Sequence, residues 1–128
     1  MKNKACSNLE SAQILISNKQ YNTSIHCSYY AVFQYMKYML AHTEKESVSY
    51  EKQDANKDDS HEYIIQEIKG RIYPSNKAKD FVEQIRALKK SRKAADYYMT
   101  DFSSEESTEQ KQCAENLISK LKTYFGNI

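Results

Sequence analysis

The segment from Tyr21 to Leu40 constrains the fold more than any other part of the chain. It contains no Gly or Pro, and its apolar residues recur at alternating spacings of four and three, so they share one face of an α-helix. The residues on this face are Ile25, Tyr29, Val32, Met36 and Met39. Further apolar residues widen the face, so the helix must be covered on more than one side. We therefore expect the central helix of a bundle, with Asn22 as its N-cap.

Glycine and proline are scarce throughout, since the 128 residues include two Gly and one Pro. Proteins built from strands and tight turns need both residues repeatedly, so this scarcity indicates an all-α fold. A chain of this length supports one hydrophobic core, and we expect a single domain over residues 1–128. The formal net charge of +2 does not by itself indicate a nucleic-acid-binding protein, so electrostatic arguments depend on where the charges lie.

A first helix is predicted from about Ala5 to Asn18, and Ser7 and Glu10 are spaced as a capping box for a later start. The link to the central helix is short, which makes the two helices antiparallel neighbours. From Ala41 to Ser60 the apolar period disappears and acidic residues outnumber lysines. We predict a long mobile loop there, either a functional flap or a solvated connector.

The second half of the chain predicts the remaining helices. A third helix ends at Pro74, and the candidates for its N-cap are Asp58, Asp59 and Ser60. A fourth helix is expected from about Lys77 to Thr100. Ser103 and Glu106 are spaced as a capping box for a fifth, which Gly126 closes. The predicted architecture is an up-and-down antiparallel bundle of four to five helices.

The cysteines Cys6, Cys27 and Cys113 are odd in number and widely spaced, so they predict neither a disulfide framework nor a zinc site. No carboxylate or histidine array suggests another metal, and we expect neither a metal nor a cofactor. No apolar run is long enough for a signal peptide or a membrane span. A reducing cytoplasm is the expected compartment.

Arg92 is the most informative single residue, because it interrupts the apolar stripe of the fourth helix. A guanidinium at such a position must reach the edge of the core or find a partner that compensates its desolvation. Asp96, four residues on, is the candidate partner. The pair is either a helix-surface ion pair or a polar lock in an interface.

The surrounding segment, residues 77–93, is locally basic. It is either a binding surface for a phosphate or a solvated helix face.

Tyrosine is unusually frequent, with 11 in the chain against four Phe and no Trp. Aromatic rings with a hydroxyl tip suit half-buried interfaces and base-stacking surfaces. His26 lies four residues before Tyr30, and we interpret it as a hydrogen-bonded core or interface histidine rather than a metal ligand. His42 and His61, near the ends of the predicted loop, are interpreted as ordinary surface residues.

Two segments resemble the HEPN domain family, named for nucleotide binding in higher eukaryotes and prokaryotes. They are Y-N-T-S-I-H-C-S-Y-Y-A-V-F-Q over residues 21–34 and L-K-K-S-R-K-A-A-D-Y over residues 88–97. The resemblance implies a helical bundle that dimerises around a cleft. Many prokaryotic members are toxins paired with a minimal nucleotidyltransferase. Many are metal-independent ribonucleases, in which an Arg and a His four to six residues apart cleave RNA.

The chain departs from the ribonuclease pattern, because no histidine follows His61. The family histidine would fall at residues 97–99, and a tyrosine with a pKa near 10 is a poor general base at neutral pH. The resemblance therefore favours a non-catalytic dimer that binds a nucleotide, RNA or a partner protein. The resemblance also implies that the protein is one half of a toxin–antitoxin-like module with a minimal nucleotidyltransferase. The candidate ligand-binding residues are Arg92, Asp96, Tyr97, His26 and Tyr30.

Two other hypotheses stay open. In the first, the protein is a metal-independent ribonuclease toxin with a degenerate active site, which uses Arg92 with Tyr97 or with His26 brought across the dimer interface. In the second, it is a purely structural interaction module in which Arg92 only locks the dimer.

Overall fold

The computed structural model describes residues 1–55 and 59–128, which form six α-helices and no strand. The helices are α1 (Lys2–Ser17), α2 (Tyr21–His42), α3 (Tyr50–Asp54), α4 (Ser60–Lys69), α5 (Ser75–Tyr97) and α6 (Ser104–Phe125). The prediction of an all-α helical bundle is confirmed. The helix count exceeds the predicted four to five because α3 lies inside the segment predicted as a loop.

Helix α2 occupies the centre of the bundle, where it contacts each of the five other helices. Its inner residues are fully buried, as the unbroken apolar stripe predicts. The largest of them are Ile25, Tyr29, Met36, Met39 and Leu40. Isoleucines of α4, the apolar stripe of α5 and leucines of α6 complete the core. Full burial of one such side chain contributes about 1.5–3 kcal/mol, so the packing around α2 is the main source of stability.

Asn22 is not the N-cap of α2, and this prediction is wrong. The helix begins at Tyr21 after the cap residue Gln20, so Asn22 lies in its first turn. The Asn22 side chain instead reaches the α5–α6 connection: its Nδ2 donates to the carbonyl of Thr100 at 2.8 Å, and its Oδ1 accepts from the backbone N–H of Phe102 at 3.0 Å. These bonds satisfy backbone groups of a connection that has no helix of its own.

The first helix begins at Lys2, which leaves Ser7 inside it, so the predicted capping box with Glu10 does not start a helix. The loop prediction for Ala41–Ser60 is wrong where α3 forms. The Ser49 hydroxyl accepts from the Lys52 N–H at 3.3 Å and caps this short helix.

Buried Gln53 attaches α3 to the bundle. Its Nε2 donates to the carbonyl oxygens of Lys37 at 3.0 Å and Val48 at 2.8 Å. Among the predicted caps of α4, Asp59 is the one observed, since its carboxylate accepts from the Glu62 N–H at 3.0 Å. Asp58 lies outside the described residues.

Helix α5 starts at Ser75 and ends at Tyr97, three residues before the predicted end. The capping box of α6 is confirmed, with reciprocal hydrogen bonds of 3.0 and 3.1 Å between Ser103 and Glu106. Gly126 follows α6 with a φ of 87°, a left-handed conformation that glycine adopts without strain. Within the described part of the chain, every helix is too short or too polar to cross a membrane.

Candidate functional site

Arg92 lies on the inner face of α5 with its side chain 7% exposed. Its guanidinium carbon is 5.2 Å from the ring centre of Tyr29, 5.5 Å from that of Tyr30 and 5.9 Å from that of Tyr97. A cation at these distances is attracted by the negative faces of the rings, and the attraction strengthens as water is excluded. The central helix therefore supplies the aromatic surface that allows a charged residue on the apolar stripe of α5.

Asp96 forms the predicted ion pair with Arg92, since its Oδ2 lies 3.5 Å from Nη1 of the guanidinium. The pair spans four residues of α5, so both side chains leave the same side of the helix. The buried Nε of Arg92 has no hydrogen-bond partner among the described residues. The arginine therefore keeps unused hydrogen-bonding capacity beside a single carboxylate.

His26 joins the cluster from α2. Its Nδ1 lies 2.8 Å from the same Oδ2 of Asp96, and its ring centre is 4.7 Å from that of Tyr30. The His26 side chain is 44% exposed, so a ligand in solvent can reach the imidazole. This contact forms within one chain, whereas the sequence hypothesis brought His26 to Arg92 across an interface. The structure therefore contains the hydrogen-bonded histidine that the sequence predicts.

The five candidate residues from the sequence thus lie together where α5 ends beside the first half of α2. We name Arg92, Asp96, Tyr97, His26 and Tyr30 the Arg92 cluster. Tyr97 is 73% exposed and forms the outer wall. Their role in ligand binding stays a prediction. No group of side chains with metal-binding potential occurs in residues 1–55 and 59–128.

His61 was not predicted as part of this site, and its interpretation as an ordinary surface residue is wrong. Its Nδ1 lies 2.7 Å from the hydroxyl of Tyr29, and its ring stacks on Phe33 with centres 4.1 Å apart. One sequence signal could have indicated this position. His61 precedes Ile64 and Ile65 by three and four residues, so it shares the buried face of α4. By contrast, His42 is exposed at the end of α2.

The electrostatic field around His61 is positive. Burial is the largest cause that lowers the pKa of His61 to about 4; the charges of Lys89, Arg92 and Lys93 contribute to the same shift, whereas Asp59 acts in the opposite direction. At neutral pH the imidazole is therefore uncharged. Because three cations reach one half-buried ring, a bound anion would be stabilised here.

Part of the basic segment of α5 is neutralised by α4. Arg86 is paired with Glu62, and Nζ of Lys89 lies 4.0 Å from Oδ1 of Asp59. Lys90 and Lys93 are exposed and form no ion pair with any residue that the structure describes. Within the described residues, Lys93 therefore contributes an unpaired positive charge next to the Arg92 cluster, and Lys77 and Lys79 contribute unpaired charges at the other end of α5.

The cysteine nearest this cluster is not activated as a nucleophile. Burial raises the pKa of the Cys27 thiol, and the negative charge of Asp96 raises it further. The thiol therefore stays protonated at neutral pH. The chemical resources of the site are one buried guanidinium, an imidazole held by a carboxylate, and exposed aromatic rings.

Comparison with known protein families gives a match. The sequence profile of the HEPN domain matches residues 1–124, which is nearly the whole chain. No curated protein and no solved structure gave a match. The matched region includes all six helices except the last residue of α6, and the helical bundle agrees with this family. The chain therefore belongs to the HEPN domain family.

Proposed function

We propose that this HEPN domain is a non-catalytic dimer that binds a phosphate-bearing ligand, a nucleotide or RNA, at the Arg92 cluster. The observation that carries the proposal is the position of the Arg92 guanidinium against the rings of Tyr29, Tyr30 and Tyr97. Lys89 and Lys93 of the same helix add to the positive field at His61. Two carboxylates, Asp59 and Asp96, face these three cations. A phosphate group supplies the missing negative charge, and the guanidinium of Arg92 is a type of donor that suits phosphate oxygens.

The biological setting that we propose follows from the family. Two copies of the domain enclose the cleft, and a minimal nucleotidyltransferase is the proposed partner in a toxin–antitoxin-like module in the cytoplasm. Exposed Tyr97, Tyr98 and Met99 give the end of α5 an apolar surface, which is compatible with a protein contact beside the ligand. Light scattering of the purified protein tests the dimer.

Binding is tested by fluorescence anisotropy with a labelled mixed-sequence RNA and by calorimetry with AMP. Lys93→Ala should weaken RNA binding and reduce the slope of log K against log salt concentration by about 0.7, the value for one lost contact to single-stranded nucleic acid. Lys79→Ala is the matched control, because Lys79 is an exposed lysine of the same helix, about 21 Å from Lys93 along the axis. Equal effects of the two changes would contradict the proposed location.

A second measurement tests directly whether phosphate binds near His61. A phosphate bound near His61 should raise the pKa of its imidazole from about 4, because the phosphate offsets the charges of Lys89, Arg92 and Lys93. NMR titration of the imidazole with and without AMP measures this pKa. A pKa that is unchanged at saturating AMP would place the phosphate elsewhere.

A metal-independent ribonuclease is the second candidate, and the contact between His26 and Asp96 favours it. Asp96 holds one ring nitrogen, so the other nitrogen could take the proton of an RNA 2′-hydroxyl. The hydroxyl oxygen would attack phosphorus and form a 2′,3′-cyclic phosphate. The 5′-oxygen would leave and take a proton from water, while Arg92 offsets the charge on the phosphorus oxygens.

Cleavage of mixed RNA in the presence of EDTA separates the two candidates. A ribonuclease that uses His26 should lose its activity in His26→Ala and keep it in His42→Ala, which changes an exposed histidine at the other end of α2. An uncleaved RNA that remains bound supports the non-catalytic proposal. Cleavage that both variants retain contradicts the catalytic role of His26.

A purely structural role is the third candidate, and the burial of Arg92 favours it. In that case Arg92→Met should dissociate the dimer, and no nucleotide or RNA should bind to the unaltered chain. Light scattering and the anisotropy assay together measure both properties.

A further inference from the structure

Four aromatic rings form a continuous strip beside the Arg92 cluster. Ring centres are 4.7 Å apart between His26 and Tyr30, 5.9 Å between Tyr30 and His61, and 4.1 Å between His61 and Phe33. Three of these residues lie on one face of α2 at positions i, i+4 and i+7, and α4 inserts the fourth, His61. We name His26, Tyr30, His61 and Phe33 the aromatic strip.

The aromatic strip is not simply part of the core. The neighbouring ring of Tyr29 is completely buried, whereas His26, Tyr30 and His61 are each only partly covered. Phe33 lies beneath His61 and is 7% exposed, so it supports the strip from below. Because three successive rings stay open to solvent, flat apolar groups can pack against them.

Positive charges border the strip along its length. The Arg92 guanidinium lies over Tyr30, and Nζ of Lys37 lies 5.9 Å from the centre of the Phe33 ring. Lys89 and Lys93 act on His61 from α5. Apolar stacking surfaces that alternate with cations suit a chain whose flat bases alternate with phosphates. Lys93 forms no ion pair with any described residue, so an apolar protein partner would leave its charge without a counter-charge.

We propose that the aromatic strip binds single-stranded nucleic acid, with bases stacked on His26 and Tyr30 and the intervening phosphate beside Arg92 and Lys93. This inference rests on the proposed function and names its ligand class. Bases in a duplex are paired and stacked on one another, so they cannot stack on side chains, whereas unpaired bases can. Stacking tolerates any base, so the strip should select for strandedness rather than for sequence.

The test is fluorescence anisotropy with a labelled single-stranded RNA 10-mer, the same RNA annealed to its complement, and AMP as competitor. The single strand should bind at least tenfold more tightly than the duplex. Tyr30→Ala should weaken single-strand binding by about 5- to 150-fold, the range for one lost base stack. Tyr30→Phe keeps the ring and should retain binding.

His26→Ala provides a second removal of a ring, at a position with half of its side chain exposed, where the loss of stability is small. Tyr73→Ala is the matched control, because Tyr73 is 89% exposed and lies outside the strip, in the α4–α5 connection. Circular dichroism of each variant confirms that it is folded. Neither the control nor Tyr30→Phe should change the affinity for the single strand by more than about twofold.

The outcomes separate this inference from the proposed function. The stacking role is overturned if single strand and duplex bind equally well, or if Tyr30→Ala and His26→Ala both keep full affinity. The phosphate site survives either result if AMP still binds in a way that depends on Lys93. Absence of binding to every probe overturns the proposed function and the inference with it.

Discussion

Replacement of Asn22 by Ala removes the side chain that joins α2 to the α5–α6 connection. Two hydrogen bonds are short, at 2.8 Å to Thr100 and 3.0 Å from Phe102, and a third contact to Ala95 is longer, at 3.4 Å. Each good hydrogen bond contributes about 0.5–1.5 kcal/mol net, so their loss costs about 1–3 kcal/mol. The higher helix propensity of Ala offsets up to about 0.7 kcal/mol. We expect a net loss of about 0.3–2.3 kcal/mol.

Urea unfolding followed by circular dichroism measures this loss. For 128 residues, an unfolding entropy of roughly 0.3 kcal/mol/K converts the loss into a fall in melting temperature of about 1–8 °C. Asn116→Ala is the control, because Asn116 is exposed on α6 and its replacement should change stability by less than about 0.5 kcal/mol. If Asn22→Ala is no more destabilising than this control, the bridge to the α5–α6 connection is not formed in solution.

Three further changes test other parts of the fold. The pKa of His61 is about 4 in the folded chain, below its ordinary value of 6.5, so the folded state binds fewer protons than the unfolded state and loses stability as the pH falls from 6.5 to 4. Urea unfolding at several pH values should show a smaller loss of stability in His61→Phe, and an unchanged loss would contradict the assignment. Arg92→Met should lower stability by about 1–3 kcal/mol through lost cation–π contacts, measured by thermal unfolding, with a neutral result as the refutation. Ser103→Ala should cost about 1 kcal/mol in the same assay, and Thr at this position should restore it.

The sequence was most informative where a feature depends on residues close to one another in the chain. The apolar stripe of α2, the capping box at Ser103 and the pair Arg92–Asp96 all depend on spacings of three or four residues, which helical geometry converts directly into contacts. The resemblance to the HEPN family rests on two short segments, and these segments contain all the residues of the Arg92 cluster.

Features that depend on long-range contacts were missed or misinterpreted. Asn22 is of a residue type that is common at helix N-caps, but its hydrogen-bond partners are 73–80 residues away, and no local pattern indicates them. His61 is 32 residues from Tyr29 and lies after a segment without periodicity. Helix α3 has only five residues, and it depends on the bonds of Gln53 rather than on an apolar stripe. Tertiary contacts decided all three.

The attachment of α3 has a consequence for any anion that approaches the end of the aromatic strip. Nζ of Lys37 already lies 2.9 Å from Oδ1 of Asp54, and Gln53 holds that carboxylate in place through the Lys37 carbonyl. Asp54 is therefore a tethered competitor whose effective concentration at the ammonium is on the order of millimolar or higher. A phosphate can contact Lys37 only if it displaces the Asp54 carboxylate. Detachment of α3 would therefore add one cation to the anion-binding surface.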